Sequence, residues 1–273
     1  MAFPAGHYHS PIPDLADIQR REHELWEPRT TLVGVDMQVP SQLALLEQLR
    51  PHVAAINYPV EAPTDSNQYY YQNGMFPVLD AEFLFGMLCL IKPKRVVEVG
   101  SGFSSLVMAD VNRRILHGAI DITCIEPYPR DFLVAGVPGI SRLVTSRLEE
   151  AEPALFEELQ SGDVLFIDSS HVSKTGSDVN YLFFELLPSL RTGVYVHLHD
   201  IFLPDEYPKP WVIDEQRSWN EQYLLHAFLM HNNAWRVVWM AYYMVSRHMP
   251  LITSVFPRCP ALGSGGSFWM QRC

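Results

Sequence analysis

The sequence predicts an α/β protein built on a doubly wound, largely parallel β-sheet. From residue 80 onward, short runs rich in β-branched residues alternate with longer segments of helical periodicity. Crossover connections between parallel strands produce this alternation. Four of the short runs end in polar residues, as strands do where such a sheet meets its ligand. The first 75 residues or so lack strand alternation, and we expect them to form a helical cap.

The expected elements follow one another along the chain. Helical periodicity covers residues 15–26 and 40–58 in the cap. An apolar helix at 80–94 comes next, with Asp80 suited to be its N-cap. Strands are expected at 95–100, 121–127, 142–146, 163–170, 194–200, 235–245 and 266–272, and helices at 104–116, 151–162, 178–193 and 219–232. The proline-rich loop 202–218 follows the fifth strand and is well placed to cover a substrate.

Composition limits the partners that the protein can have. Its 273 residues are 48% hydrophobic and 19% charged, which is enough for a full core. A net charge of −11 without a dense Lys/Arg run argues against nucleic acid and anionic membranes as partners. There is no apolar run of membrane-spanning length and no signal-peptide pattern at the N-terminus. The four cysteines have no CxxC spacing, so we expect a reduced, cytoplasmic protein.

A glycine loop follows the first strand in "VVEVGSGFSS". Gly100 and Gly102 partly match a dinucleotide fingerprint, which Ser105 breaks. Glu98 at the strand tip would repel a pyrophosphate but suits a ligand with an ammonium group. Glu126, after the second strand, falls where a ribose-binding acid is expected. Since S-adenosylmethionine carries both an ammonium group and a ribose, the loop favours this cofactor.

The segments "VVEVGSGFSS", "CIEP", "VLFIDSSH" and "HLHD", in this order, resemble the class I S-adenosylmethionine-dependent methyltransferases. The resemblance covers about residues 76–273, which would form the catalytic domain behind a cap of residues 1–75. It implies a Rossmann-like sheet of seven strands with the last strand antiparallel beside the fifth. It also implies cofactor contacts at Glu98, Gly100, Ser101, Gly102, Glu126, Arg147 (near the adenine) and Asp168.

The ends of the fourth and fifth strands resemble a narrower group, the metal-dependent O-methyltransferases, including those that act on the sugars of macrolide antibiotics. That resemblance implies a divalent cation on Asp168, Asp200 and His199. It implies that His171, three residues beyond Asp168, is the general base. In such a site the cation lowers the pKa of a hydroxyl group and the imidazole takes its proton.

His199 departs from that narrower group, in which an acid is common at this position. Mg²⁺ prefers oxygen ligands, whereas imidazole suits ions such as Fe²⁺ and Mn²⁺. We expect Mg²⁺, with Fe²⁺ or Mn²⁺ as alternatives. His197 shares a strand face with His199, but a core histidine is the simpler interpretation of it.

These observations predict an S-adenosylmethionine-dependent, metal-assisted O-methyltransferase of a small hydroxylated molecule, such as a natural product or sugar of secondary metabolism. One alternative is an iron-dependent oxidative enzyme on the same fold. Another is a non-catalytic cofactor-binding protein, which would be expected to lose the acid–histidine cluster. A homo-oligomer is compatible with the sequence. Neither the roles of His7 and His9 nor the length of the connection 250–266 follow from it.

Overall fold

A seven-stranded β-sheet spans the structure, and each of its strands overlaps one that the sequence predicts. The structure is a computed structural model that describes residues 2–64, 67–259 and 265–273. The strands are β1 Arg95–Val99, β2 Asp121–Ile125, β3 Arg142–Val144, β4 Val164–Ile167, β5 Tyr195–Leu198, β6 Trp235–Met240 and β7 Phe268–Arg272. Their order across the sheet is β3-β2-β1-β4-β5-β7-β6.

The strand directions confirm the predicted Rossmann-like fold. Strands β1 to β5 pair in parallel, and β7 runs antiparallel between β5 and β6. The order of the strands reverses between β1 and β4, because the chain builds outward from β1 to β3 and then crosses back. The crevice at the carboxyl ends of β1 and β4 is therefore where this kind of sheet binds a ligand.

Helices cover both faces of the sheet. They are α1 Leu15–Arg20, α2 Glu22–Leu25, α3 Val39–Val53, α4 Val78–Ile91, α5 Phe103–Arg114, α6 Asp131–Val134, α7 Ala154–Glu157, α8 Asp178–Tyr181, α9 Leu187–Ser189, α10 Lys209–Ile213, α11 Glu221–Leu229 and α12 Ala241–Val255. A π-helical turn, Leu182–Leu186, joins α8 to α9, and a 3₁₀ turn covers Leu148–Glu150. In the described part of the chain, none of these helices is both long and apolar enough to cross a bilayer.

The expected strand at 235–245 is wrong in its second half, where α12 begins at Ala241. The register with β7 ends at Met240. Beyond it the buried positions Ala241, Met244 and Val245 recur at helical spacing and face the core. This helix occupies residues 241–255 and so accounts for much of the connection before β7. Residues 260–264 of that connection lie outside the described residues.

Two apolar layers sandwich the sheet, and the N-terminal region contributes to one of them. Alternation along β1 sends Val96 to one layer and Val97 to the other. Leu46 and Leu49 of α3 are fully buried in the layer that also contains α4. Each such side chain contributes about 1.5–3 kcal/mol through burial. Helix α3 thus shares its core with the sheet, and the domain division at residue 75 stays a prediction.

Candidate active site

The polar residues that follow four strands stand in register at one edge of the sheet. The backbone N–H groups of Gly100, Glu126, Asp168 and His199 each donate to a carbonyl group of the neighbouring strand, at 2.8–3.0 Å. These hydrogen bonds extend the parallel ladder by one residue at each strand end. The residues singled out in the sequence are therefore brought together where the strand order reverses.

Gly100 allows the loops after β1 and β4 to touch. Its φ of +80° is left-handed, and a Cβ atom at position 100 would lie 1.7 Å from the carbonyl oxygen of Asp168. No residue with a side chain fits that approach. Gly102 differs, because its backbone is extended and a Cβ atom there would meet no atom within 4 Å. Gly102 thus leaves room at the mouth of the cleft.

The structure does not bring Glu98 into the cleft. Alternation along β1 turns its side chain toward α5, where it is fully buried. Its Oε1 accepts a 2.6 Å hydrogen bond from the Ser104 hydroxyl, and its Oε2 accepts one from the Ser105 hydroxyl. Burial raises the pKa of Glu98 to about 7, although these hydrogen bonds act in the opposite direction. Glu98 therefore supports the first turn of α5 through these two hydrogen bonds.

Glu126 and Arg147 border a cavity of about 410 Å³ beside the loop after β1. The Glu126 carboxylate accepts the backbone N–H of Ser101 at 3.2 Å and that of Tyr128 at 2.8 Å. Arg147 is exposed and pairs with Glu149 at 2.6 Å. Asp168 borders the same cavity. Gly100 borders it as well, so the structure places four of the predicted cofactor residues around one space.

A second cavity of about 590 Å³ adjoins the first, and Asp168 borders it too. Two carboxylates and two imidazoles meet there. His199 Nδ1 lies 3.4 Å from Asp200 Oδ1 and 3.7 Å from Asp168 Oδ2. His171 Nε2 lies 3.4 Å from Asp168 Oδ1 and 3.7 Å from Asp200 Oδ2. The ligand atoms of Asp168, His199 and Asp200 all lie within 4.8 Å of one another, so these three residues fit a single cation.

The charges of this cluster balance one another. Burial by itself would raise the pKa of Asp168, but His199 and His171 lower it to about 2. Burial would likewise lower the pKa of His171, but hydrogen bonds with Asp168 and Glu221 raise it to about 10. The carboxylates of Asp200 and Asp168 overcome burial in the same way and raise the pKa of His199 well above its usual range. In this structure two protonated imidazoles offset the negative charge of the carboxylates. A bound divalent cation would offset the same charge.

The backbone is left-handed at two residues of the cluster. His171 has a φ of +58° and Asp200 a φ of +57°, a conformation that costs a residue with a side chain about 1–2 kcal/mol. The His171 carbonyl accepts the backbone N–H of Asn220 at 3.1 Å, and the Ile201 N–H donates to Gly266 at 2.9 Å. Surrounding contacts therefore hold both residues in a conformation that is typical of functional sites.

Two buried acids outside the predicted site contact its imidazoles. Asp80 Oδ2 lies 3.2 Å from His199 Nε2, and Glu221 Oε2 lies 2.9 Å from His171 Nδ1. The expectation that Asp80 caps a helix is wrong, because α4 begins at Val78 after Pro77 and Asp80 is buried inside the first turn. An acid within the apolar run "VLDAEFLF" was the signal that could have identified it.

Two tryptophans and an arginine line the second cavity beside the cluster. The Trp219 ring lies 4.3 Å from the His171 ring, centroid to centroid. The Arg217 guanidinium lies 4.6 Å from the Trp219 centroid and 4.0 Å from the Trp211 centroid. All three residues border the cavity. Trp211 and Arg217 belong to the proline-rich loop 202–218, so this loop lies where the sequence predicts a substrate cover.

His197, His7 and His9 are not part of the cluster, although the His197 ring lies 5.8 Å from the His199 ring. His197 is fully buried, stacks on Phe166 at 3.7 Å and has Nε2 3.0 Å from the Ser267 hydroxyl. Burial lowers its pKa well below the usual range, so it is the core histidine that the sequence predicts. The rings of His7 and His9 contact each other and Phe3, and neither histidine borders the two cavities.

Comparisons with known proteins agree with this architecture. Residues 97–201 match the family model described as a methyltransferase domain. An uncharacterised protein of Archaeoglobus fulgidus is 36% identical over 182 residues, which cover 63% of this chain and 82% of that protein. The chain and the archaeal protein belong to one family, and the chain is a methyltransferase whose matched domain covers residues 97–201.

Two solved structures are similar over most of their length. The O-methyltransferase TomG of Streptomyces achromogenes, which takes part in tomaymycin synthesis and was solved with S-adenosylmethionine, is 15% identical with a TM-score of 0.42, over 94% of this chain and 95% of that one. An O-methyltransferase of Bacillus cereus, solved with S-adenosylhomocysteine, is 14% identical with a TM-score of 0.43, over 93% and 96%. At these values neither structure says which group this chain methylates.

Proposed function

We propose that this methyltransferase transfers the methyl group of S-adenosylmethionine to a hydroxyl oxygen of a small molecule. We propose that a divalent cation at Asp168, His199 and Asp200 assists the transfer, with His171 as the general base. The observation that carries the proposal is the position of Asp168, which borders both cavities. A methyl donor in the first cavity and an acceptor oxygen in the second would meet beside the acid–histidine cluster.

The first cavity supplies what the cofactor needs. The Glu126 carboxylate, which is hydrogen-bonded to the loop through Ser101, would bind the ribose. Arg147 also borders this cavity and would lie near the adenine. Gly100 and Gly102 allow the cofactor to approach the backbone of the loop. Glu98 supports that loop through Ser104 and Ser105, a role that replaces the direct ammonium contact expected from the sequence.

The donor set of the cluster fits a divalent cation. Two carboxylates and one imidazole nitrogen are available at distances that one ion can bridge. The imidazole favours Mn²⁺ or Fe²⁺ over Mg²⁺, which prefers oxygen ligands alone. When bound, the cation would lower the pKa of the acceptor hydroxyl and offset the charges of Asp168 and Asp200.

The chain's own residues then carry the proton and orient the acceptor. The hydroxyl oxygen attacks the methyl carbon, and the carbon–sulfur bond breaks with its electron pair left on sulfur, which gives S-adenosylhomocysteine. The pKa of His171 is raised by carboxylates when no metal is bound, and a cation beside it would lower that pKa again. His171 Nε2, which faces Asp168 and Asp200, would then accept the hydroxyl proton. Trp211 and Trp219, with Arg217 packed against both rings, line the cavity around the rest of the acceptor. These features suit a small ring-bearing molecule with a hydroxyl group.

Cofactor binding, metal content and methyl transfer test this proposal separately. Calorimetry should show S-adenosylmethionine binding that Glu126→Ala weakens about 10- to 100-fold, as expected for loss of hydrogen bonds to a charged group. Glu152→Ala, which removes an exposed acid paired with Arg142, is the matched control and should bind normally.

Transfer of a labelled methyl group to a panel of hydroxylated molecules should stop after chelation and return with Mn²⁺ or Mg²⁺. Full activity after exhaustive chelation would exclude the metal-assisted reaction.

A further inference from the structure

Two buried carboxylates stand behind the imidazoles of the active site, on the side away from Asp168 and Asp200. Asp80 is fully buried and Glu221 is 1% exposed. Both come from helices, α4 and α11, whose sequences carry no recognisable site motif. Burying an ionised carboxylate is costly unless specific partners compensate it. Their presence in the apolar surroundings of the cluster therefore requires an explanation beyond packing.

The Asp80 carboxylate has three hydrogen-bond partners. Its Oδ2 accepts the backbone N–H of Gly266 at 2.8 Å and lies 3.2 Å from His199 Nε2. Its Oδ1 accepts the backbone N–H of Ser267 at 3.2 Å. All these contacts require Asp80 to act as an acceptor, so His199 Nε2 must carry the hydrogen. That leaves His199 Nδ1 as the nitrogen turned toward Asp168 and Asp200.

Glu221 contacts the other imidazole, that of His171. Its Oε2 lies 2.9 Å from His171 Nδ1, and its backbone N–H donates to the His171 carbonyl at 3.3 Å. Among the described residues its Oε1 has no hydrogen-bond partner. The imidazole of His171 is therefore the one hydrogen-bond partner of the Glu221 side chain among these residues. The Trp219 ring packs on the same imidazole. The Nε2 atom of His171 is therefore the one that faces the two aspartates.

We propose that Asp80 and Glu221 are positioning residues that fix the ring orientation and the hydrogen-bearing nitrogen of His199 and His171. Asp80 keeps His199 Nδ1 free to bind the cation, and Glu221 keeps His171 Nε2 free to accept the substrate proton. This proposal rests on the proposed function. Carboxylate partners of this kind typically change metal affinity or activity about 10- to 100-fold when they are lost.

Proton NMR of the protein alone tests the two hydrogen bonds without metal, cofactor or substrate. An imidazole N–H that donates to a buried carboxylate exchanges slowly and resonates far downfield. The wild type should show two such signals. Glu221→Gln should shift or remove one of them and Asp80→Asn the other, because a neutral acceptor forms a weaker hydrogen bond. Glu82→Gln is the matched control: Glu82 is as buried as Asp80 and on the same helix, but it binds Tyr71 at 2.7 Å. It should leave both signals unchanged.

Metal titration and kinetics test the consequences. With Zn²⁺ as the probe, Asp80→Asn should weaken metal affinity about 10- to 100-fold and leave cofactor affinity unchanged. Glu221→Gln should lower kcat by a similar factor with KM and metal affinity unchanged. Asp80 also accepts hydrogen bonds from two backbone N–H groups, so Asp80→Asn can lose stability. The Glu221 side chain accepts none from the backbone. If Asp80→Asn does not fold, Glu221→Gln alone tests the positioning role.

The outcomes separate the two proposals. Glu221→Gln with wild-type kcat, or variants whose only defect is a lower unfolding temperature, would overturn the positioning roles. So would a spectrum in which neither variant alters a downfield signal. A wild-type protein that binds neither metal nor cofactor would instead overturn the proposed function, whatever the NMR spectra show.

Discussion

Gly266 lies against the backbone of Asp200, so closely that a Cβ atom at position 266 would be 3.0 Å from both the N and the Cα of Asp200 and 3.2 Å from its Oδ1. The segment just before β7 thus supports a residue of the proposed cation site. Gly266→Ala should push Asp200 outward and weaken Mn²⁺ affinity, while S-adenosylmethionine affinity stays at the wild-type value. Calorimetric titration with each ligand measures both. Unchanged Mn²⁺ affinity would show that the contact does not position Asp200.

The two glycines of the loop after β1 should respond differently to the same substitution. Gly100→Ala would place a methyl group inside the Asp168 carbonyl, so we expect it to lower the free energy of unfolding by at least about 2 kcal/mol. Gly102→Ala meets open space and should fold with nearly wild-type stability, but its methyl group would enter the cofactor cleft and weaken binding. Urea denaturation and calorimetry distinguish the two effects. Equal stability of the two variants would contradict this account of the loop.

Glu98 should make stability depend on pH. Its pKa in the folded protein is raised to about 7, above the value of 4.5 for an unperturbed glutamate. A raised pKa means that the stabilising contribution is complete below about pH 4.5 and is lost as the pH rises through 7. Glu98→Gln removes this titration. The free energy of unfolding of Glu98→Gln minus that of the wild type should therefore rise by about 3 kcal/mol between pH 4.5 and pH 8. Urea denaturation at both pH values measures it. A difference that does not change with pH would mean that Glu98 titrates normally.

His171 should be needed for the chemical step and not for binding. His171→Asn keeps a hydrogen-bonding side chain but cannot take a proton at neutral pH. We expect kcat to fall by about 10²- to 10⁴-fold, as is typical when a general base is lost, with cofactor affinity unchanged. Steady-state kinetics and calorimetry give the two quantities. If the variant turned over at the wild-type rate, His171 would have only a structural role.

Much of the fold and half of the site could be predicted because their signals are local. Strand and helix periods, and polar residues at strand ends, lie within short windows of the chain. Asp168, His171, His199 and Asp200 follow buried strands directly, and a parallel sheet must bring such residues to one edge. These positions could be inferred without knowing how the helices pack.

The rest depends on contacts between distant parts of the chain. Asp80 and His199 are 119 residues apart, and no local pattern relates an acid in an apolar helix to a histidine after β5. Glu98 illustrates the opposite error. Its position next to the glycine loop suggested a ligand contact, but strand alternation, which is also local, turns its side chain toward α5. The end of β6 was missed because "WMAYYMV" fits both a strand and a helix until the pairing with β7 ends.

The left-handed backbone at His171 and Asp200 has a consequence for attempts to make this protein more robust. At such positions glycine is usually the favoured residue, and replacing a side chain by glycine there relieves local strain. A library screened only for resistance to heat should therefore accumulate glycine at 171 and 200, and with it lose the imidazole and the carboxylate at the centre of the cleft. Thermal tolerance and turnover would then be selected in opposite directions at the same two positions, so any such screen must score methyl transfer alongside melting.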